Sequence, residues 1–147
     1  MALPGGHAES SDADLGATAE RETLEEVGLD LRATGERIGQ LTDSEPVRGV
    51  AIAVRPFVYL LTGEPSLTLS AEVRQALWVP ILPLHRGEHR TRHSFSRAGQ
   101  TLVFPAWDVG GHIVWGLTYR VLDEFFRRFI GVSGSGSAEL DNSRQSR

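Results

Sequence analysis

Residues Gly5 to Leu29 read GGHAESSDADLGATAERETLEEVGL, and no other stretch restricts the fold as tightly. Glu22, Glu25 and Glu26 stand at i, i+3 and i+4, so on an α-helix their side chains leave one face a turn apart. Like charges so placed repel by a few tenths of a kcal/mol per pair. A chain that carries three of them balances them with a cation. Arg21 lies four residues before Glu25, where it can pair with that carboxylate and hold it in one rotamer. Gly28 follows the last turn, where a left-handed residue closes a helix. Asp14 is placed to cap its start, which predicts a helix over Leu15–Val27 with Ala17, Leu24 and Val27 facing inward. Gly-Gly loop, helix and cap are specified together.

The charge distribution agrees. Residues 1–30 hold eight acids (Glu9, Asp12, Asp14, Glu20, Glu22, Glu25, Glu26 and Asp30) against one arginine, Arg21. Carboxylate oxygens that share a cation with phosphate oxygens suit Mg²⁺ or Mn²⁺. Glutamates on a helix are more often a solvated face, and the flanking glycines and Arg21 are what lift this triplet above that reading.

The run resembles the Nudix box, G-x5-E-x7-R-E-U-x-E-E-x-G-U with U aliphatic. The second half matches at Arg21, Glu22, Glu25, Glu26, Gly28 and Leu29, with Thr23 in an aliphatic place. The first half carries one extra residue, so Asp12 or Asp14 takes the acidic position. That lengthened spacing, together with Phe104-Pro105-Ala106 and Trp115-Gly116-Leu117-Thr118, is similar to the coenzyme A pyrophosphatase branch. The resemblance implies an α/β fold, a Nudix-type α/β/α sandwich with a mixed sheet. Only Leu3-Pro4-Gly5-Gly6 match the signature that precedes the box in that branch, so the expectation is a domain lacking its N-terminal strand or strands.

The implied activity is metal-dependent hydrolysis of a nucleoside diphosphate linked to another group, with coenzyme A or acyl-CoA the first candidate. ADP-ribose or another nucleotide sugar is the alternative, for which Pro46, 17 residues after Leu29, is a slight signal. A non-catalytic Nudix-fold binding module or inactive fragment is the alternative of another class. Glu22, Glu25 and Glu26 would hold Mg²⁺ or Mn²⁺, Arg21 would orient Glu25, and Gly5 and Gly6 would let backbone approach the site. Glu72, in Ser70-Ala71-Glu72-Val73, resembles a glutamate that such enzymes place near the metals. A surface glutamate at a helix start is the equal alternative.

All 15 basic residues are arginine. Residues 85–97 gather Arg86, Arg90, Arg92 and Arg97 with His85, His89 and His93 around a single acid, Glu88. This segment reads as a polar basic loop over residues 84–99. Arg86, Arg90 and Arg92 are candidates for substrate phosphates, and a solvated loop is the plain alternative. The arginines are not read as interleaved with aromatics, which counts against nucleic acid as a partner.

At 147 residues with 40% apolar and 23% charged content, the chain reads as one globular domain over residues 1–130. A Gly/Ser-rich polar tail, read as disordered, follows over residues 131–147. No cysteine, no apolar run of membrane length and no leader-like segment place it in the cytoplasm, with a small-molecule partner; a homodimer is compatible with these features. Further expectations are strands at Ile38–Leu41, Val50–Leu61, Trp78–Leu82, Gln100–Phe104 and His112–Trp115. A short helix is expected over Ser70–Ala76 and an amphipathic one over Leu117–Phe129, with Leu117, Val121, Phe125 and Phe129 on its stripe.

Overall fold

The structure is a computed structural model that describes residues 1–44, 53–97 and 99–131, with the Arg97 side chain left aside. Pro46, the first residues of the expected 50–61 strand and the 132–147 tail lie outside the described residues.

Helix α1 spans Leu15–Val27, as its caps predict. The Asp14 carboxylate accepts from the Ala17 N–H at 2.8 Å, and the Gly28 N–H donates to the Leu24 carbonyl at 2.9 Å with Gly28 at φ 68°. The buried side follows Gly16, Thr23 and Val27, whereas Leu24 is half exposed, which corrects the expected inner face. Thr23 survives burial because its hydroxyl donates back to the Ala19 carbonyl at 2.7 Å.

Helix α2 (Leu31–Thr34) leads into β1 (Gly35–Gln40), which pairs antiparallel with β2 (Phe57–Leu61). Val27, Leu29 and Leu31 form a core cluster with Tyr59, Leu61, Leu67, Val73 and Ala76 packed against it. The Tyr59 hydroxyl donates to Glu20 at 2.8 Å and ties β2 to α1; burial, and then this hydrogen bond to a carboxylate, push the phenol up to about 12.

Residues 70–76 form no helix. Val73 N–H returns to the Ser70 carbonyl as a single turn. Trp78–Leu82 form no strand either; helix α3 (Ile81–His85) starts after Pro80. The expected basic loop is largely a strand. β3 (Arg90–Arg97), β4 (Gln100–Val109) and β5 (His112–Trp115) make an antiparallel sheet in that order, β4 turning into β5 through Gly110-Gly111. All described pairings are antiparallel, in sheets of two and three strands.

Helix α4 (Gly116–Phe125) continues as a π-helical turn, Phe126–Ile130. That turn adds a residue to the helical repeat and rotates the stripe. The core stripe already runs along α4 through Tyr119 and Leu122 to Phe126, which, rather than Phe129, is the buried ring, joining Leu84, Trp107 and Val114 in a second core cluster. The same helix bridges the two sheets: Glu124 accepts from the Thr42 N–H at 3.0 Å, and Arg128 donates to the Thr42 hydroxyl at 2.7 Å.

Candidate active site

The site is assembled around α1 by three pieces of chain, each held through a specific contact. The first is the Gly5–Asp12 loop. Gly5 has φ 153°, a backbone region L-residues rarely adopt, and its N–H donates to the Glu26 carboxylate at 3.3 Å. Gly6 is needed for a different reason: a β-carbon there would collide with the Glu22 carboxylate. Gly5 supplies a conformation and Gly6 supplies room.

The second piece is the Arg21 hub. Its Nε and one Nη meet the two oxygens of Asp12, both at 3.1 Å, and that Nη also donates to the His7 carbonyl at 3.0 Å. Its other Nη donates to Glu22 and to Glu25, each at 3.1 Å. Asp12 also accepts from the Thr18 hydroxyl and the Glu9 N–H, each at 2.9 Å, and its side chain is only 7% exposed. The Arg21 hydrogen bonds, then the Glu9 N–H, hold the Asp12 carboxyl well below the ordinary carboxylate range. The two acids that shared the loop position thus separate by role: Asp12 clamps Arg21, and Asp14 caps the helix.

The third piece is the extended segment before Glu72. Thr68 N–H donates to the Val27 carbonyl and Ser70 N–H to the Glu26 carbonyl, both at 2.9 Å. These two bonds dock residues 68–70 across the end of α1. They also explain Gly28 further, since a β-carbon there would lie 2.8 Å from Thr68 Cβ and 2.9 Å from its carbonyl oxygen. The result is an open cleft of about 340 Å³ lined by Glu22, Glu25, Glu26, Ser70, Ala71 and Glu72. Glu72, 46 positions beyond Glu26 in the chain, therefore shares one cleft with the helix glutamates.

Four carboxylates in one cleft are hard oxygen donors of the type Mg²⁺ and Mn²⁺ take. Among the described residues no three acidic or histidine side chains already converge as a finished ligand set. Arg21 and the Gly5 N–H hold oxygens of Glu22, Glu25 and Glu26 instead. Glu25, paired with Arg21 at 3.1 Å, is 58% exposed, so its carboxylate faces solvent at the cleft.

Arg86, Arg90 and Arg92 do not line this cleft. They stand exposed after α3 and on β3. Sequence reading also overlooked Phe95 and took His93 only as part of a basic loop. Their signal was an alternation with Arg90, Arg92 and Ser94 that marks a two-faced strand.

A loop, glutamate helix and docked acidic segment of this kind define an α/β domain with a carboxylate-lined cleft. A NUDIX domain profile matches residues 1–98, and the chain belongs to the Nudix family. It is 33% identical over 136 residues to the uncharacterized Nudix hydrolase NudL of Salmonella newport, covering 90% of this chain and 67% of that protein. Nudix hydrolase 22, chloroplastic, of Arabidopsis thaliana is 31% identical over 130 residues, covering 83% of this chain and 42% of its own length. An uncharacterized protein of Schizosaccharomyces pombe is 38% identical over 98 residues, 63% of this chain and 30% of that one. The chain thus spans between about a third and two thirds of the length of these relatives. Among the described residues no helix is long and apolar enough to cross a membrane.

Proposed function

We propose that the chain is a divalent-metal-dependent pyrophosphohydrolase of nucleoside diphosphates linked to a second group. The observation that carries this is the single cleft shared by Glu22, Glu25, Glu26 and Glu72. Glu22, Glu25 and Glu26 would hold Mg²⁺ or Mn²⁺. Such a cation supplies positive charge against the diphosphate and acidifies water at the cleft.

The chain's own residues do the rest. Arg21, fixed by Asp12, orients Glu22 and Glu25. Gly6 lets the backbone lie against Glu22 without a side chain in the way. A carboxylate of the cleft, Glu72 or one of the box glutamates, would take a proton from the attacking water. Water oxygen bonds to one phosphorus, the bridging P–O bond breaks, and two phosphomonoesters leave. Arg86, Arg90 and Arg92 are the reserve of positive charge for distal phosphate.

Within this reading the first substrate is coenzyme A or acyl-CoA, giving 3′,5′-ADP and 4′-phosphopantetheine, acted on in the cytoplasm. The lengthened box and the Trp115-Gly116-Leu117-Thr118 segment support it. The test is a panel of coenzyme A, ADP-ribose and dinucleoside polyphosphates with Mg²⁺ or Mn²⁺, scored by product release. Metal-dependent cleavage of coenzyme A is expected. ADP-ribose cleaved while coenzyme A stays intact would change the substrate, and no cleavage of any member would leave a binding module.

A further inference from the structure

Two threonines are buried in α1, and their hydroxyls bond differently. Thr18 is 4% exposed and Thr23 is 7% exposed. A hydroxyl buried at either place needs a partner. The Thr23 hydroxyl donates at 2.7 Å to the Ala19 carbonyl, four residues back in its own helix, and so serves the helix alone. Thr18 has the same option in the Asp14 carbonyl, 3.3 Å away, yet its shorter bond, 2.9 Å, leaves the helix for the Asp12 carboxylate. A hydroxyl carries one proton, and the charged oxygen is the stronger acceptor.

That bond stands at the head of a series of contacts that ends in the cleft. Thr18 and Arg21 lie at i and i+3 on α1, so their side chains share a face and meet Asp12 together. The two Asp12 oxygens meet the Arg21 Nε and one Nη, both at 3.1 Å, and this fork fixes the guanidinium plane. A guanidinium has five N–H donors. Here two go to Asp12, one to the His7 carbonyl, and one each to Glu22 and Glu25. None is left over, so a shift of Asp12 passes to the Nη that holds both glutamates. Glu22 and Glu25 line the cleft, whereas Thr18 does not. Apart from Arg21, Thr18 is the only side chain bonded to Asp12 among the described residues.

We propose that Thr18 is a positioning residue for the metal-holding carboxylates: its hydroxyl anchors Asp12, Asp12 sets the Arg21 fork, and Arg21 presents Glu22 and Glu25. The inference rests on the proposed function for the identity of the cation. A valine would fill the same space and break the relay at its first bond.

Mn²⁺ binding to the intact chain, read by calorimetry without substrate, is the probe, so hydrolysis plays no part. Thr18→Val should raise the Mn²⁺ Kd about tenfold, within the range that losing a group behind a metal ligand gives. Thr18→Ser returns a hydroxyl and should restore most of the affinity. Thr23→Val makes the same chemical change at the other buried threonine and should leave the Kd unchanged. Unfolding midpoints are measured for all three, and Thr18→Ala takes the place of Thr18→Val if the latter does not fold. In an Asp12→Ala background, where the relay is already cut, adding Thr18→Val should raise the Kd no further.

Equal Mn²⁺ binding in wild type and Thr18→Val overturns the proposal and leaves the hydrolase reading untouched. So does an equal loss in Thr18→Val and Thr23→Val, which would make both threonines structural, or full additivity with Asp12→Ala. Mn²⁺ bound in the expected pattern by a chain that cleaves no diphosphate would overturn the hydrolase reading and leave Thr18 its role. A wild-type chain that binds no Mn²⁺ would overturn both.

Discussion

The α1 cleft and the β3–β5 sheet handle charge in opposite ways. Around α1 the basic group is oversubscribed: Arg21 alone contacts Asp12, Glu22 and Glu25 and lies 3.8 Å from Glu9. On the sheet the imbalance is reversed, with Arg90 and Arg92 exposed and unpaired among the described residues. The first region holds surplus negative charge that a divalent cation would relieve. The second holds positive charge that an anionic ligand would relieve. Under the proposed function, an anionic diphosphate bound with a divalent cation would meet both demands.

The strongest way to break this contrast is to remove charge from α1 without removing shape. Glu25→Gln and Glu26→Gln keep length and helix propensity. Each is expected to lower metal-dependent turnover by about 10³-fold, the scale of a lost charge-stabilising group in a transition state. The thermal midpoint should stay within a few degrees of wild type, because Glu25 is exposed and bonds only to Arg21 among the described residues. Turnover within tenfold of wild type in both variants would remove the glutamates from the chemistry.

Gly28 tests how the cleft is built rather than what it carries. Alanine there meets a left-handed φ of 68° and the Thr68 backbone together. The expected loss is about 1–3 kcal/mol of stability, read by denaturant unfolding. Activity should fall with it, because the displaced segment carries Glu72 to the cleft. Full activity in a destabilised Gly28→Ala protein would separate Glu72 from the mechanism.

The two regions also differ in how legible they were. Helix α1 could be bounded to the residue because its signals are local: Asp14 bonds to Ala17, Gly28 bonds to Leu24, and Arg21 reaches Glu25 one turn away. The Asp12–Arg21 clamp spans nine positions across a loop, and spacing alone left Asp12 and Asp14 equivalent. Leu24 misled because its burial depends on what lies across from it, which no helical period states. On the sheet, Arg90–Arg97 reads polar at every position but Phe95, and a strand with one solvated face looks like a loop until its partner is known. Thr101 and Leu102 had to be set opposite Ser96 and Phe95 before its two faces could be told apart. In place of the expected Ser70–Ala76 helix there is a single turn, Val73 to Ser70, after a segment docked on α1 by long-range bonds from Thr68 and Ser70 that pattern reading does not see.

The clamp sharpens the comparison through pH. Asp12 has its carboxyl lowered from an ordinary 3.8 by the Arg21 hydrogen bonds. A lowered folded-state pKa contributes stability that is complete above the unfolded value and is lost as pH falls toward the folded one. Wild type should therefore outlast Asp12→Asn by a constant margin from about pH 5 to 8, and the margin should shrink below about pH 4. Acid-unfolding curves of the two proteins check this. A margin that grows toward low pH would mean that Asp12 is not the group holding Arg21.

The smallest effects belong to the arginines, and they decide whether the sheet's positive charge has a use. Arg86→Ala, Arg90→Ala and Arg92→Ala remove exposed side chains without ion pairs among the described residues, so each should change stability by no more than about 0.5 kcal/mol. If the positive charge serves an anionic substrate, each should raise KM severalfold at low ionic strength while kcat holds. That difference should fade as salt is raised, since exposed charges are screened over about 8–10 Å near physiological strength and over about 3 Å at 1 M. A salt-independent KM equal to wild type in all three variants would mark these arginines as solvated surface. The contrast between the regions would then reduce to the acidic cleft alone, and the opposing positive charge would have no part in binding.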